Sequence, residues 1–467
     1  MATALDKFRT IDPITNDDPE LEGIRDWVRA TLGAEVMKIT RQRRWRPVWR
    51  VDIDGVGVPD ALLFKSDRPW PAHPYPLKYE YDILKVLQDN GILIPKLFGL
   101  CPYPEAIVME WVQGGRDPGM VMEAEESRSI MTPDRWAASL SYMEALADMH
   151  RIPPAQFVAA GLALPVGAEE IALNSVDRFY AMCKEQQVVD PLMEFCALWL
   201  RRNVPQDLTN ISFVTGDCGQ FLSDGPTLTA IIDMEVGHLG DNHHDLACFR
   251  GRHPIEHMGD LPALYRHYEK ALGRPVDFNK IAYQTIVFMS VGYYAPLFAL
   301  ANRAPGGDWV ESAVQVAMIG RRCLEAMAEI VGVALAEFEL PEPRVTPIED
   351  MALQKLADEI RRIPTAPAFQ DWQRGIVASI ADYLVNQQHY SGWAEQADLD
   401  ESAAILGYRP ANLVEADRAL VDFIRAASPE HDKALIILFY RRMLRQCLII
   451  AGGDKDHLVL CKMEPIL

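Results

Sequence analysis

The stretch Phe213–Arg250 constrains this chain most, because it places acidic residues shortly after short apolar runs. The runs Ile211–Val214 and Leu228–Ile232 have the length and composition of strands. Between them lies Ser223–Pro226, whose sequence Ser-Asp-Gly-Pro consists of turn-forming residues. The pattern therefore predicts that the two runs pair as a β-hairpin.

Each run of this predicted hairpin ends in an acidic turn. Asp217 follows the first run, Asp233 and Glu235 follow the second, and the hairpin would gather all three near Gln220. Mg²⁺ takes oxygen ligands such as carboxylate and amide oxygens, and it retains waters that a phosphate can replace. The segment thus predicts a magnesium site that serves a phosphate-bearing ligand.

The order of these residues resembles the catalytic segment of the aminoglycoside phosphotransferase and choline kinase-like family, small-molecule relatives of protein kinases. The residues that carry the resemblance are Gly216, Asp217, Gln220-Phe221-Leu222, Ile232, Asp233, Glu235, Gly240-Asp241 and Asp245-Leu246-Ala247. The resemblance implies that Asp217 is the base that orients the acceptor hydroxyl. It also implies that Asp233, with Gln220 and Glu235, holds the Mg²⁺ that bridges the nucleotide phosphates. Asp245 would anchor the catalytic loop through backbone hydrogen bonds.

Two positions depart from the family pattern. Thr215 stands where the family usually has His, and Gln220 stands where it has Asn, in a loop that is shorter. Gln presents the same amide oxygen on a longer arm, so in this interpretation it compensates for the shorter loop.

The N-terminal part of the chain has the pattern of a small, strand-rich lobe. Helical periodicity covers Asp18–Leu32, and strand patterns follow at Val36–Ile39, Val48–Ile53 and Ala61–Lys65. The resemblance implies that Lys65 contacts the α- and β-phosphates of the nucleotide. Its partner would be Glu80 on the next predicted helix, Lys78–Asn90.

The turn between the first two predicted strands lacks the glycines with which kinases cover phosphates. Arginines occupy it instead, in the sequence RQRRWRPVW from Arg41 to Trp49. Arginine forks could hold the nucleotide phosphates, with Arg44 as the candidate, or they could hold an anionic acceptor. A basic loop exposed to solvent is the alternative interpretation.

A second contact with the nucleotide is expected where the two lobes join. The apolar strand Ala106–Val112 resembles the hinge of the family, where backbone groups meet the adenine edge. Met109, Glu110 and Val112 are the candidates for that contact. Packing of the strand in the core is the alternative interpretation.

With 467 residues, the chain is long enough for two or three domains. We expect an α+β, bilobal, protein-kinase-like fold, with a nucleotide-binding lobe in residues 1–112. A larger, mainly helical lobe with the catalytic and acceptor sites would follow in residues 113–340. After the proline-rich stretch LPEPRVTP, residues 341–467 predict an all-α extension outside the resemblance. It could be an accessory domain, a lid or a homodimer interface.

Charge and cysteine usage restrict the class of protein further. The formal net charge of −20 argues against nucleic-acid binding, which needs basic surface. Eight cysteines without any C-x-x-C pair indicate reduced thiols in a cytoplasmic protein, and the N-terminus lacks the apolar segment of a signal peptide. The uncharged stretch Ile281–Ala301 is interpreted as a buried helix of the large lobe, so no membrane partner is expected.

The favoured function is a small-molecule kinase. It would use Mg²⁺ to transfer the γ-phosphoryl group of ATP or GTP to a hydroxyl of a metabolite or an antibiotic. The alternative is a catalytically degenerate kinase-fold sensor. This alternative is supported by the glycine-free turn, Thr215 and the short loop. A metal-dependent hydrolase using Asp217 and Asp233 is a third class, and it would release phosphate without an acceptor.

Overall fold

The structure, a computed structural model, describes residues 19–44, 46–67, 74–115, 131–301, 307–366 and 368–467, and it begins with a small lobe built on one sheet. The helices of this lobe are α1 (Pro19–Leu32) and α2 (Leu77–Asp89), and its strands are β1 (Glu35–Arg41), β2 (Val48–Asp54), β3 (Ala61–Ser66), β4 (Leu97–Pro102) and β5 (Glu105–Glu110). All neighbouring strands are antiparallel, in the order β1-β2-β3-β5-β4.

The amino-acid pattern explains this lobe. Along β2 the side chains alternate between more and less buried positions, as expected for a strand with one face on a core. α1 buries Leu21, Ile24 and Val28, which lie on one side of the helix, in the same cluster as the sheet residues. The predicted first helix and the three predicted strands are confirmed, with small differences at their ends.

The large lobe carries the catalytic segment. Its helices are α3 (Pro133–Arg151), α4 (Pro154–Ala159), α5 (Gly167–Glu185), α6 (Pro191–Arg202), α7 (His243–Glu256), α8 (Leu261–Leu272), α9 (Phe278–Ala301) and α10 (Trp309–Val331), and its strands are β6 (Ser212–Val214), β7 (Phe221–Asp224), β8 (Thr227–Ile231) and β9 (His238–Gly240). Leu84 of α2 packs in one cluster with Leu146 of α3 and Ile231 of β8, so the two lobes share buried surface. The predicted α+β class is confirmed.

The strand pairing of the catalytic segment differs from the predicted hairpin. The run Ile211–Val214 forms β6, but β6 pairs with β9, whereas the run Leu228–Ile232 forms β8 and pairs with β7. The predicted pairing is therefore wrong. The turn at Gly225 closes a short hairpin with β7, whose sequence FLSD has only two apolar residues and gives little strand signal. The two hairpins are nested, and their connections carry Asp217 and Asp233.

The C-terminal extension consists of helices. They are α11 (Pro347–Arg362), α12 (Ala368–Leu406), α13 (Leu413–Ala426) and α14 (Asp432–Ala451). α14 shares a core with the large lobe, because Leu435 and Phe439 pack in one cluster with Leu324 of α10. The all-α character of the extension is confirmed, while the domain boundaries after residues 112 and 340 and the homodimer interface stay predictions.

Helix α12 is much longer than predicted. The pattern predicts a helix over Trp372–Asn386 with Gly392 outside it, whereas α12 continues through Gly392 for a total of 39 residues. A glycine inside a helix costs about 1 kcal/mol relative to alanine. Tertiary packing offsets this cost, because the buried Arg445 of α14 donates from Nε to Asp398 Oδ1 of α12 at 2.8 Å.

Helix α9 is the one helix in the described ranges that is long and apolar enough to cross a membrane. It lies within the large lobe, where 67% of its apolar window is buried. It packs against α5, α7 and α10. This burial agrees with the interpretation of the stretch Ile281–Ala301 as a helix of the large lobe.

Candidate active site

Ionic contacts of Lys65 connect the two lobes at their junction, which is called the cleft below. Its Nζ on β3 donates to Glu80 Oε1 of α2 at 2.6 Å and to Asp233 Oδ1, which follows β8, at 2.7 Å. Burial lowers the pKa of Lys65, but Asp233 and Glu80 outweigh burial and raise it, so the ammonium group stays charged. Three residues that the sequence assigned to the nucleotide and the metal are thus in direct contact.

A second buried cation, Arg46, joins this cluster from the turn between β1 and β2. Its Nε donates to the Ser66 carbonyl at 2.9 Å, and its Nη1 donates to Glu235. The same Nη1 lies 3.6 Å from Glu80 Oε2. Burial lowers the pKa of Arg46, but Glu235 and the other carboxylates outweigh it and raise the pKa. The glycine-free turn therefore contributes a guanidinium to the site.

The arginine predicted to bind phosphates, Arg44, has a different environment. Its Nη1 donates to the carbonyl of its neighbour Arg43 at 3.0 Å, in an exposed part of the turn. The structure thus places Arg46 in the carboxylate cluster, and phosphate binding by Arg44 stays a prediction.

Asp233 takes a backbone conformation that residues other than glycine rarely adopt. Its φ is +69°, in the left-handed region. Such conformations cost roughly 1–3 kcal/mol, and proteins retain them where the surrounding structure holds them, often at functional sites. Here the contact with Lys65 fixes the carboxylate, so the strained turn after β8 serves to place it in the cleft.

The loop between β6 and β7 holds Asp217. It turns at Gly216, whose φ is +78°, and a Cβ there would lie 2.5 Å from the Val236 carbonyl oxygen, so only glycine fits. Asp217 Oδ2 accepts from Gln220 Nε2 at 2.8 Å. Asp217 Oδ1 accepts from Arg252 Nε at 3.1 Å and from Arg252 Nη2 at 2.6 Å. The side chain of Asp217 remains 34% exposed, so a molecule in the cleft can reach the carboxylate.

Asp245 of α7 anchors this loop. The residue is fully buried and accepts from the Thr215 N–H at 2.9 Å, the Thr215 hydroxyl at 3.0 Å and the Gly216 N–H at 3.2 Å. Nε2 of His150 lies 3.1 Å from the same carboxylate. Burial raises the pKa of Asp245, but His150 and the loop donors outweigh burial and lower it. The predicted anchoring is confirmed, and Thr215, which replaces the family's His, contributes to it.

Arg252 opposes the effect of burial on Asp217. Burial raises the pKa of Asp217, the ion pair with Arg252 lowers it, and the nearby Asp233 and Glu235 raise it. The balance leaves the pKa above its ordinary value of 3.8. The predicted role of Asp217 as a general base requires an ionised carboxylate, so Arg252 extends the pH range in which that role is available.

Arg252→Met should therefore move the acidic limb of the pH–activity profile to higher pH. An opposite charge at this distance lowers a carboxyl pKa by about 1–3 units, and activity is lost as the pH falls through the folded-state pKa. We expect the acidic midpoint of kcat/KM to rise by about 1 unit or more, measured from initial rates across the pH range. Arg252→Lys keeps the charge and should reverse most of the shift. An unchanged limb in Arg252→Met would contradict this role.

The three predicted metal ligands are not preassembled. Among the residues that the structure describes, no three His, Cys, Asp or Glu side chains form a group that could hold a metal. Glu235 is held by Arg46, and Asp233 is held by Lys65. Mg²⁺ binds many phosphate-transfer sites through one or two carboxylates plus substrate phosphates and waters. Asp233 and the amide oxygen of Gln220 fit such a site, and the metal role of all three residues stays a prediction.

The hinge candidates differ in how their backbone is used. Met109 lies within β5, paired on both sides with β3 and β4, and its side chain is buried in the core. The Glu110 N–H donates to the Lys96 carbonyl at 2.8 Å. Val112 follows β5 and lies outside the sheet ladder, so its N–H is the candidate best placed for adenine. Adenine contact by any of the three stays a prediction.

Sequence reasoning missed Arg252 as a site residue. A signal for it exists, because Arg252 lies seven residues after Asp245 on α7, and residues seven apart share one face of a helix. Both therefore face the catalytic loop. Arg46 was recognised within the arginine-rich turn, but the pattern does not determine which arginine of that turn enters the cleft.

Several solved structures that resemble this chain are phosphotransferases. Macrolide 2'-phosphotransferase type I is 18% identical with a TM-score of 0.47, covering 66% of this chain and 99% of that chain. Macrolide 2'-phosphotransferase MphH from Brachybacterium faecium is 15% identical, with a TM-score of 0.44. The match covers 63% of this chain and 97% of that chain. A thermostable mutant of aminoglycoside phosphotransferase APH(4)-Ia, in a ternary complex with ADP and hygromycin B, is 12% identical, with a TM-score of 0.45. The match covers 65% of this chain and 97% of that chain.

A family match gives the clearer assignment. The sequence model of the phosphotransferase enzyme family (APH) matches residues 44–278, which is half of the chain. The matched region contains Lys65, Asp217, Asp233 and Asp245, and the C-terminal extension lies outside it. No protein of curated function matches the sequence. From this match and the catalytic segment together, the chain belongs to the phosphotransferase enzyme family.

Proposed function

We propose that the chain is a small-molecule kinase that transfers the γ-phosphoryl group of ATP or GTP to a hydroxyl of a metabolite or an antibiotic. As a member of its family it is a phosphotransferase, and the donor and the acceptor are the proposed part. The observation that carries the proposal is the contact of Lys65 with both Glu80 and Asp233. This contact joins the lobe that would hold the nucleotide to the segment that carries Asp217.

Lys65 and Arg46 are the groups that would bind the nucleotide phosphates. Both are cations in the cleft, and both now contact carboxylates that a phosphate could replace. Arginine forks and lysine ammonium groups each suit phosphate oxygens. Mg²⁺, held by Asp233 and Gln220, would neutralise negative charge on the transferring phosphates.

Asp217 would accept the proton of the acceptor hydroxyl. An ionised carboxylate offers about four lone-pair positions, so it can accept from the substrate while Arg252 and Gln220 hold it. These two residues fix its orientation from either side. Orientation matters here because most of the acceleration of phosphoryl transfer comes from positioning and charge neutralisation.

We also propose a cytoplasmic location. All eight cysteines are free thiols, and seven of them are buried. Free thiols fit a reducing compartment. Fractionation of the cells that produce the protein tests this proposal.

An acceptor-dependent assay of nucleoside diphosphate release tests the proposed function. The protein is incubated with Mg²⁺ and ATP or GTP, with and without panels of sugars, amino alcohols and hydroxy acids. A kinase releases the diphosphate when an acceptor is present, and the acceptor gains a phosphate ester that mass spectrometry detects. Release of inorganic phosphate at the same rate without any acceptor would point to a hydrolase. Nucleotide binding without turnover would point to the sensor.

A further inference from the structure

The C-terminal extension contacts the region of the small lobe that carries Arg46. At the end of β1, the guanidinium carbon of Arg41 lies 4.9 Å from the ring centre of Phe369 on α12. The same carbon lies 5.1 Å from the ring centre of Trp49 on β2. A guanidinium group at these distances from two rings is attracted to both through cation–π contacts. Arg41 therefore links the sheet of the small lobe to the extension.

Arg41 also holds the backbone of the arginine turn, which is the connection between β1 and β2. Its Nη1 donates to the Arg46 carbonyl at 3.0 Å and to the Val48 carbonyl at 3.2 Å. The side chain of Arg46 in turn donates to Glu235. A continuous path of contacts thus runs from Phe369 through Arg41 to a residue that would bind the nucleotide phosphates.

The remainder of α12 is fixed to other helices. Arg445 of α14 is 1% exposed and donates to Asp398 of α12. Tyr383 of α12 packs edge-on against Trp309 of α10, with 5.4 Å between the ring centres. A helix of 39 residues is about 58 Å long at 1.5 Å per residue. α12 therefore bridges from the large lobe to the arginine turn of the small lobe.

We propose that α12 positions the arginine turn for phosphate binding, with Phe369 and Arg41 as the positioning residues. The inference rests on the proposed nucleotide-dependent function. A glycine-rich turn grips phosphates through its own backbone N–H groups. This turn has no glycine and presents Arg46, whose placement depends on how its backbone is held. The extension is then part of the nucleotide site, and its loss would weaken nucleotide binding.

Phe369→Ala tests this inference. We expect the Kd and the KM for Mg²⁺·ATP to rise about 3- to 10-fold, as the loss of one cation–π contact allows, while kcat changes by less than about 2-fold. Phe369→Tyr keeps the aromatic face and should retain the wild-type Kd. Phe369→Leu keeps an apolar contact without the ring and should resemble Phe369→Ala. Titration calorimetry gives the Kd, and initial rates separate KM from kcat.

Phe338→Ala is the matched control. The Phe338 ring lies 5.1 Å from the guanidinium carbon of Arg441 and 5.8 Å from that of Arg445, both on α14, and it packs edge-on against Trp393 of α12. This variant therefore removes cation–π contacts and weakens the packing of α12 away from the arginine turn. It should lower the unfolding temperature without changing the Kd for the nucleotide. If Phe369→Ala behaves in the same way, with lower stability and an unchanged Kd, α12 only stabilises the fold and the inference is overturned.

Hydrogen exchange separates failure of this inference from failure of the proposed function. The Gln42 N–H donates to the Val48 carbonyl at 2.8 Å, so peptides covering this turn report how firmly it is held. We expect faster exchange there in Phe369→Ala than in the wild type. Unchanged exchange would overturn the inference even if the wild type binds ATP. A wild type that binds neither ATP nor GTP would overturn the proposed function, whatever the exchange shows.

Discussion

Asp217→Asn should lower kcat by about 10²- to 10⁴-fold, the range typical for loss of a general base. The amide has the shape of the carboxylate and can stay in the same place, but it cannot accept the proton of the acceptor hydroxyl. The proposed phosphate contacts of Lys65 and Arg46 do not involve Asp217, so the Kd for Mg²⁺·ATP should stay within about 3-fold of the wild type. Initial rates with a saturating acceptor, together with calorimetric titration, measure both quantities.

Asp224→Asn is the control for this prediction. Asp224 ends β7 in an exposed turn, so its replacement should leave kcat unchanged. A wild-type kcat in Asp217→Asn would show that the Asp217 carboxylate is not the base that accepts the hydroxyl proton. A loss of nucleotide binding as large as the loss of kcat would instead indicate that the variant disturbs the whole cleft.

Asp245→Asn should lower the free energy of unfolding by about 2–4 kcal/mol. The wild-type carboxylate accepts from the Thr215 N–H, the Thr215 hydroxyl and the Gly216 N–H within a fully buried site. An amide nitrogen in place of one oxygen would face these donors and leave at least one of them without an acceptor. Urea unfolding of the nucleotide-free protein measures the loss, and kcat should fall with it because the loop that carries Asp217 loses its anchor.

The pH dependence of stability gives this prediction a sign that can be checked. The folded-state pKa of Asp245 is lowered from 3.8, so the carboxylate stabilises the fold fully above about pH 4 and loses this effect as the pH falls through the folded-state pKa. Asp245→Asn lacks that component, so its stability should depend less on pH in the acid range. Asp148→Asn, an exposed acid on α3, should cost no more than about 1 kcal/mol. An equal cost for both variants would contradict the anchoring role.

The departures from the family pattern are accommodated in the structure. Thr215, in place of His, donates from both its backbone and its hydroxyl to Asp245. Gln220, in place of Asn, reaches Asp217 across the shorter loop. These two features first supported the sensor alternative, and neither leaves a gap in the hydrogen-bond network of the loop.

Much of the fold follows from local pattern. Apolar spacing predicts α1 and the strands β1, β2, β3 and β5 of the small lobe, because each element buries one face and local propensity agrees with that burial. The pairing of Lys65 with Glu80 was implied by the family resemblance, whereas the contact of Lys65 with Asp233 was not predicted. The pairing of β7 with β8 was not predicted either, because the sequence FLSD is too short and too polar to indicate a strand. The full length of α12 was also not predicted, because it depends on tertiary packing against Arg445 and not on the local pattern.

The remaining site residues depend on tertiary structure. Which arginine of the turn enters the cleft is decided by the turn's backbone, so Arg46 could not be separated from Arg44. The contact between Arg41 and Phe369 joins residues that lie far apart in the sequence, and no local period or motif predicts such a pair. Arg252 lies seven residues after Asp245 on α7, so helical periodicity alone places both residues on the face toward the catalytic loop.

Thermal unfolding of the wild type and of Asp233→Asn with ATP or GTP, each with and without Mg²⁺, tests whether the protein binds a nucleotide together with Mg²⁺ at Asp233. Asn tolerates the left-handed backbone of this position, so the variant removes the charge with little change in backbone strain. A nucleotide at one hundred times its Kd adds about 2.7 kcal/mol to the folded state. We expect a Mg²⁺-dependent rise in the unfolding temperature of the wild type that Asp233→Asn abolishes. No rise with either nucleotide, or an equal rise in both proteins, would contradict this expectation.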